Sequence, residues 1–215
     1  MLLAFFVPAI GLSRSCERFK GALVDVEKRG ARDARQVLAN GGIASACALG
    51  YAFTHSPVLA AAFAGAFAAA AADTWGTELG TLARALPRSI LSLKTIPRGL
   101  SGGVTFAGTL AEAGGALVVG MFAHAVGVAP LWIVAAAGFA GALIDSILGA
   151  SLQALYHCAG CQRRCETNPH VCGNATSLVR GVGWIDNDAV NALATLAGAI
   201  AAASLAAVYV TAFLP

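Results

Sequence analysis

Apolar residues run along the chain in long blocks separated by polar stretches. Five blocks cover 37–54, 58–72, 103–123, 131–152 and 189–213, built mainly of Ala, Gly, Leu and Val. A helix needs roughly 20 apolar residues to cross a bilayer core, and these blocks are on that scale. The alternating segments of about 10 residues that mark membrane strands are absent. A sixth block, residues 2–13 (LLAFFVPAIGLS), is too short to span alone. It lacks the basic n-region and small-residue cleavage site of a signal peptide, so it reads as the remainder of a first membrane helix. The pattern predicts an all-α polytopic transmembrane helix bundle with about six membrane segments, the first short or truncated. The whole of 1–215 forms a single integral membrane domain.

The polar stretches sharpen this layout. All 14 Lys and Arg lie in 14–36, 73–101 and 156–188, whereas the turns at 55–57 and 124–130 carry none. Alternate crossings put the three basic stretches on one face, which the positive-inside tendency makes cytoplasmic. Both termini are then expected outside, with the cell inner membrane as location. Composition agrees: 58% of residues are hydrophobic, 12% are charged, and mean hydropathy is +0.73. A net charge of +3 is too small to argue for a nucleic-acid partner.

Acids inside such blocks are costly and usually mark a site or a pathway. Glu112 is roughly 14 Å into its helix and Asp145 roughly 21 Å from the outer end of its own. Glycines share their faces: Gly108 and Gly115 with Glu112, and Gly138, Gly141 and Gly149 with Asp145. Both acids are therefore expected to point into the bundle. Asp73 and Glu78 stand about 140° apart on an unbroken helix and converge on one ion only if the helix ends or bends near Gly76. Asp186, Asn187, Asp188 and Asn191 form a dense group of oxygen donors of the kind that suits Mg²⁺; helix capping by Asp186 is the plainer alternative.

A glycine turn, Gly99, Ser101, Gly102 and Gly103, precedes the block at 103–123. Helix N-termini present free N–H groups to phosphate, Ser101 is a candidate cap, and Lys94 and Arg98 add positive charge. The stretch 73–112 thus reads as part of a composite site for phosphate and a divalent cation. Within the Cys/His-containing loop at 156–188, Cys158 and Cys161 have the C-x-x-C spacing of zinc loops, followed by His170 and Cys172. A structural zinc knuckle is expected there, with unligated thiols as the alternative.

Five blocks carry a resemblance: GARDARQVLANGG (30–42), DTWGTELG (73–80), KTIPRGLSGGVTFAGT (94–109), GALIDSILGASLQ (141–153) and WIDNDAVN (184–191). Together they resemble the integral-membrane family that includes plant phytyl-phosphate kinase and animal transmembrane protein 19. The order of Asp-Thr, Lys and Gly-Thr is distantly similar to the CTP-dependent polyprenol kinases. The resemblance implies phosphorylation of an isoprenoid monophosphate to the diphosphate, with a nucleoside triphosphate (CTP or ATP) as donor. On that reading Asp73, Glu78, Asp145, Asp186, Asp188 and Asn191 hold Mg²⁺, directly or through water. Lys94, Arg98, Gly99 and the Ser101–Gly103 turn hold donor phosphates, and Arg32, Gln36 and Asn40 bind the acceptor phosphate or the nucleotide. The alternative is a membrane transporter that uses Glu112 and Asp145 to carry ions or protons; the absence of an inverted repeat and the one-sided charge favour the enzyme.

Overall fold

The computed structural model describes residues 34–213. The expected short segment 2–13, most of the basic stretch 14–36, and Arg32 lie outside the described residues. Five helices follow: α1 (Ala34–Thr54), α2 (Pro57–Leu82), α3 (Phe106–Ala125), α4 (Leu131–Ser151) and α5 (Asn187–Phe213). All five are long and apolar enough to cross a membrane, so the chain is a polytopic helical membrane protein.

Helix α2 is the axis of the bundle. It contacts each of the other four helices, and 67% of its most apolar window is buried, against 11% for α1 near the N-terminus. Its middle is almost entirely Ala, Gly and Phe, and Ala61–Ala62, Ala64 and Ala66–Ala72 are all buried. A helix that is apolar on every side is one that is covered on every side. Lipid gives no hydrophobic drive for helices to associate, so close van der Waals contact between small residues has to supply it. Gly141 of α4 shows how close: a Cβ there would lie 2.5 Å from Ala69 Cβ and 3.0 Å from the Ala194 carbonyl of α5. Three helices meet at that point with backbone nearly touching.

The turns on one end are short. His55 and Ser56 join α1 to α2, and Pro57 starts the next helix at its first turn, where a missing N–H costs nothing. The other end carries a layer of loops with two small sheets, which the all-apolar periodicity did not predict. Strands β1 (Arg88–Ser89) and β2 (Gly103–Val104) pair antiparallel. Strands β3 (Leu155–Cys158), β4 (Arg163–Cys165) and β5 (Thr176–Arg180) form a sheet in the order β4-β3-β5. Trp184, 77% exposed, stands just before α5, where an amphipathic ring suits the membrane interface.

Two arginines bolt this layer to helix ends. Arg98 donates to the Thr81 carbonyl at 3.1 Å, to the Ala83 carbonyl and to the Arg84 carbonyl at 2.8 Å, closing the C-terminus of α2. Arg180 donates to the Gly149 carbonyl of α4 at 2.7 Å. Cations are favoured at helix C-termini, whose last carbonyls lack intrahelical partners.

Gly141→Leu should destabilise the bundle by about 3 kcal/mol or more, because overpacking has no relief where backbones touch. Gly41→Ala, at a glycine with open space around it, should be neutral or stabilising; thermal denaturation of detergent-solubilised protein reads both. Arg98→Ala should lower stability by about 1–2 kcal/mol through the uncapped carbonyls, and equal melting curves for variant and parent would contradict that role.

Candidate functional site

The Gly141 contact gives a common height from which to place the acids. Toward the loop-bearing end, Asp73 lies four residues past Ala69 and Asp145 four past Gly141, each about 6 Å on. Asp188 lies six residues before Ala194, about 9 Å on. Glu112 packs with its Cγ and Oε1 against Gly76, seven residues past Ala69 and about 10 Å on. Four helices thus each contribute an acid to one layer about 5 Å thick. Asp73, Glu112 and Asp145 are in mutual electrostatic reach, and Asp145 also feels Glu166 from the loop layer. Glu112 and Asp188 are each only 7% exposed. Glu112 Oε2 and Asp145 Oδ2 are buried without a hydrogen-bond partner. On α1, Gln36 stands about 4–5 Å above Ala39, whose carbonyl accepts a bond from Thr195 Oγ1 at 3.2 Å. Asn40 Nδ2 donates back to the Gln36 carbonyl at 3.0 Å.

Some predicted site residues are engaged elsewhere. Helix α2 runs unbroken past Gly76 to Leu82, so Asp73 and Glu78 stay about 140° apart and do not converge on one ion. Gly76 is small to make room for Glu112, not to bend the helix. Asp186 Oδ1 accepts from Ala189 N at 3.0 Å, capping α5, and its Oδ2 lies 3.6 Å from Arg35. The plainer alternative, capping, accounts for Asp186. Asp188, the second residue of α5, remains in the layer, and Asn191 stands about one turn further in, at its edge. Arg98 spends both terminal nitrogens on carbonyls.

The glycine turn is also built differently from the expectation. The cap of α3 is Thr105, whose hydroxyl accepts from Gly108 N at 3.0 Å; β2 intervenes between that cap and Ser101. Gly102, at φ 79°, lies over the end of α4, where a Cβ would fall 2.5 Å from Ala150 N. Only glycine satisfies both that conformation and that approach. The Ser101 donors meet a carboxylate from the chain itself. Glu166 accepts from Ser101 N at 2.7 Å, from Ser101 Oγ at 2.9 Å and from Gln153 Nε2 at 2.8 Å. The turn does recognise an anion, and in this structure the anion is Glu166.

Beside that clasp lies a cleft of about 260 Å³ lined by Lys94, Ser101, Arg164 and Arg180 together with Ser89, Ser92 and Thr95. Three cations and four hydroxyls converge there. Burial presses against the charge of Arg180, Arg164 adds to that pressure and Glu166 counters it; its Nε is buried without a partner.

Cys158, Cys161, His170 and Cys172 come together in the loop layer. Among the described residues they alone form a group of three or more His, Cys, Asp or Glu side chains with ligand atoms all within 4.8 Å. The layer acids are spread more widely than that. The hydrogen bond with His170 pulls the Cys172 thiol down to about 6. Cys165, the fourth thiol of the loop layer, is buried with Tyr156 and Ala154 and lies outside this group.

Glu166, Gln153, Arg164 and Arg180 were not singled out in the sequence. Glu166 follows Cys165 in a stretch whose thiols dominate its reading, and its partner Ser101 is 65 residues away. Gln153 closes one of the quoted blocks, GALIDSILGASLQ, which was the available signal.

The comparisons with known proteins agree with this architecture. Residues 1–199 match the family model described as integral membrane protein DUF92. The chain is 35% identical to Protein PGR of Arabidopsis thaliana over 98% of its own length and 81% of that protein. It is 30% identical to an uncharacterized membrane protein of Methanocaldococcus jannaschii, covering 93% of this chain and 72% of that one. With an uncharacterized membrane protein of Synechocystis it shares 29% identity, over 71% and 62% of the two lengths. No solved structure matches. With five helices long and apolar enough to cross a membrane, a family match over nearly its whole length and a plant relative that aligns with 98% of this chain, the chain belongs to the integral membrane protein family DUF92.

Proposed function

We propose that this protein is an integral membrane phosphotransferase that converts an isoprenoid monophosphate to the diphosphate, with a nucleoside triphosphate as donor and Mg²⁺ as cofactor. The observation that carries the reading is the juxtaposition of two half-sites at one end of the bundle. An acid layer of Asp73, Glu112, Asp145 and Asp188 lies within the helices. A cleft of Lys94, Arg164, Arg180 and Ser101 lies in the loops above, and Glu166 is in electrostatic reach of both Asp145 and Arg180.

The chain's own residues divide the work. Lys94, Arg164 and Arg180 attract and orient the donor's phosphates, with the hydroxyls of Ser89, Ser92 and Thr95 as further donors. Gln36 and Asn40 lie on the acceptor side, where the prenyl tail would stay between helices in lipid. An oxygen of the acceptor monoester attacks the γ-phosphorus. The bond from that phosphorus to the β-bridging oxygen breaks, and the nucleoside diphosphate leaves with the electron pair. The second ionisation of a phosphate monoester lies near about 6, so the attacking oxygen is already largely deprotonated and no strong general base is required. Phosphoryl transfer then depends on alignment and neutralisation of charge.

The acids fit a divalent cation. Clustered intramembrane carboxylates are costly unless neutralised, and two of these oxygens are buried without partners. Asp73, Asp145, Asp188 and Asn191 would hold Mg²⁺, with Glu112 beside them; their spacing suits an ion that keeps part of its water shell. When bound, it supplies charge neutralisation to the transferring phosphoryl group.

Purified protein with Mg²⁺, labelled CTP or ATP and prenyl monophosphates of several lengths should yield labelled diphosphate. Asp145→Asn and Asp188→Asn should each cut kcat by about 100-fold or more while the protein stays folded. Absence of diphosphate with every donor and every chain length would falsify the kinase reading, and full turnover in both variants would remove the metal assignment. The orientation is testable separately. With the native cysteines kept, Gly127→Cys should add a site that an impermeant thiol reagent modifies on intact cells and Leu91→Cys should not; the reverse pattern would place the charged face outside.

A further inference from the structure

We propose that Cys158, Cys161, His170 and Cys172 form a structural Zn²⁺ site that holds the loop layer in the shape needed to place Glu166 on the Ser101 turn. The site is separate from the acid layer and from the cation-lined cleft, and it does not depend on the kinase reading.

Local structure explains why these four meet. Cys158 ends β3, and Cys161 lies in the turn that leads to β4. Gln162 in that turn has φ 53°, so the chain folds back sharply and turns both thiols to one side. His170 and Cys172 come from the connection between β4 and β5. That connection is closed by His170 N donating to the Asn174 carbonyl at 3.1 Å and Gly173 N donating to the His170 carbonyl at 2.8 Å. Strand β3 pairs with both β4 and β5, and its end at Cys158 lies opposite the starts of both, at Arg163 and Thr176, so the turn before β4 and the connection before β5 meet at one end of the sheet.

The distances match a tetrahedral ion. Zn–S bonds of about 2.3 Å and Zn–N bonds of about 2.0 Å set ligand edges of about 3.8 Å for S···S and about 3.5 Å for S···N. Cys158 Sγ lies 3.6 Å from Cys172 Sγ, and Cys161 Sγ lies 3.5 Å from His170 Nδ1. The His170 Nδ1 to Cys172 Sγ edge, 2.9 Å, has to open by about 0.6 Å. A set of three sulfurs and one imidazole nitrogen is a closed structural zinc set, with no position left for a substrate. Asn174 Nδ2 donates to Cys172 Sγ at 3.3 Å, the kind of outer bond that orients a metal-bound thiolate.

The mechanical consequence follows from the strand order. Glu166 directly follows β4, whose Cys165 pairs with Tyr156 of β3. The hydrogen bonds of three- to five-residue strands are few, and so short a sheet is marginal on its own. A metal that ties the β3–β4 turn to the β4–β5 connection fixes both ends of β4 and with them the Glu166 carboxylate.

Full-length protein purified in detergent without chelator should contain one zinc ion per chain by elemental analysis. Cys161→Ser and Cys172→Ser should lose it, and Cys47→Ser, in α1, should keep it. Replacement by Co²⁺ should give the visible bands of a tetrahedral thiolate site, a readout on the parent protein that survives even if the variants do not fold. Metal removal should raise the rate of proteolytic cleavage within 159–175 by at least tenfold. Parent protein that holds no zinc and takes up neither zinc nor cobalt overturns the site, as does a Cys158–Cys172 disulfide in protein purified under reducing conditions. Zinc retained by both ligand variants overturns the assignment of ligands. Zinc bound with unchanged proteolysis overturns its role in holding the layer.

Discussion

In lipid a helix gains little by moving apolar side chains from one hydrocarbon surface to another, so it is held by how closely its neighbours approach. That constraint is met here by α2, whose alanines and glycines let three other helices come to backbone contact. The approach of Gly141 to both Ala69 and Ala194 does more than stabilise the bundle. It fixes three helices in register, and a register fixed at one level fixes every level above it. Asp73, Asp145 and Asp188 each lie one to two turns from that contact. Their arrival at a common height is a consequence of small-residue packing, with no further device needed.

The loop layer solves a different problem. Its own apolar core is small, formed by Ala154, Tyr156, Cys158 and Cys165, and directed bonds to the helix ends hold it in place. Arg98 takes the last carbonyls of α2, Arg180 takes a carbonyl of α4, and Glu166 joins the Ser101 turn to Gln153. Gly102 allows the turn to lie directly on α4. Two of these attachments, through Arg180 and Ser101, also line the cleft. Those bonds fasten the layer and shape the cleft together.

The membrane segments were legible in the sequence because span length and the distribution of Lys and Arg are both properties of single stretches. The inward direction of Glu112 and Asp145 was legible for a related reason: glycines on the same face mark where another helix comes close. Glycine has two uses, and position 76 shows the second. Convergence of Asp73 and Glu78 required the helix to end or bend there, whereas Gly76 serves as a place where the Glu112 side chain needs room. The turn at 99–103 misled because a helix start was inferred from its glycines, whereas Thr105 carries the cap and a short strand separates the two. The Glu166 contacts were not legible at all. They depend on a three-stranded sheet whose pairing is set by long-range geometry, and no local pattern marks a carboxylate that will meet a serine 65 residues away.

The arginine caps have one more consequence. Helices α2 and α4 end at the loop-bearing face, while α3 and α5 begin there. A helix carries partial negative charge at its end and partial positive charge at its start. Guanidinium groups cover both negative ends, through Arg98 and Arg180, so an anion approaching this face meets little of the repulsion those ends would exert. The two helix ends are thereby removed as sources of negative potential, and the side-chain charges of the cleft and the acid layer set the field. Relief of that repulsion is an electrostatic effect, weaker in high salt and stronger in low salt.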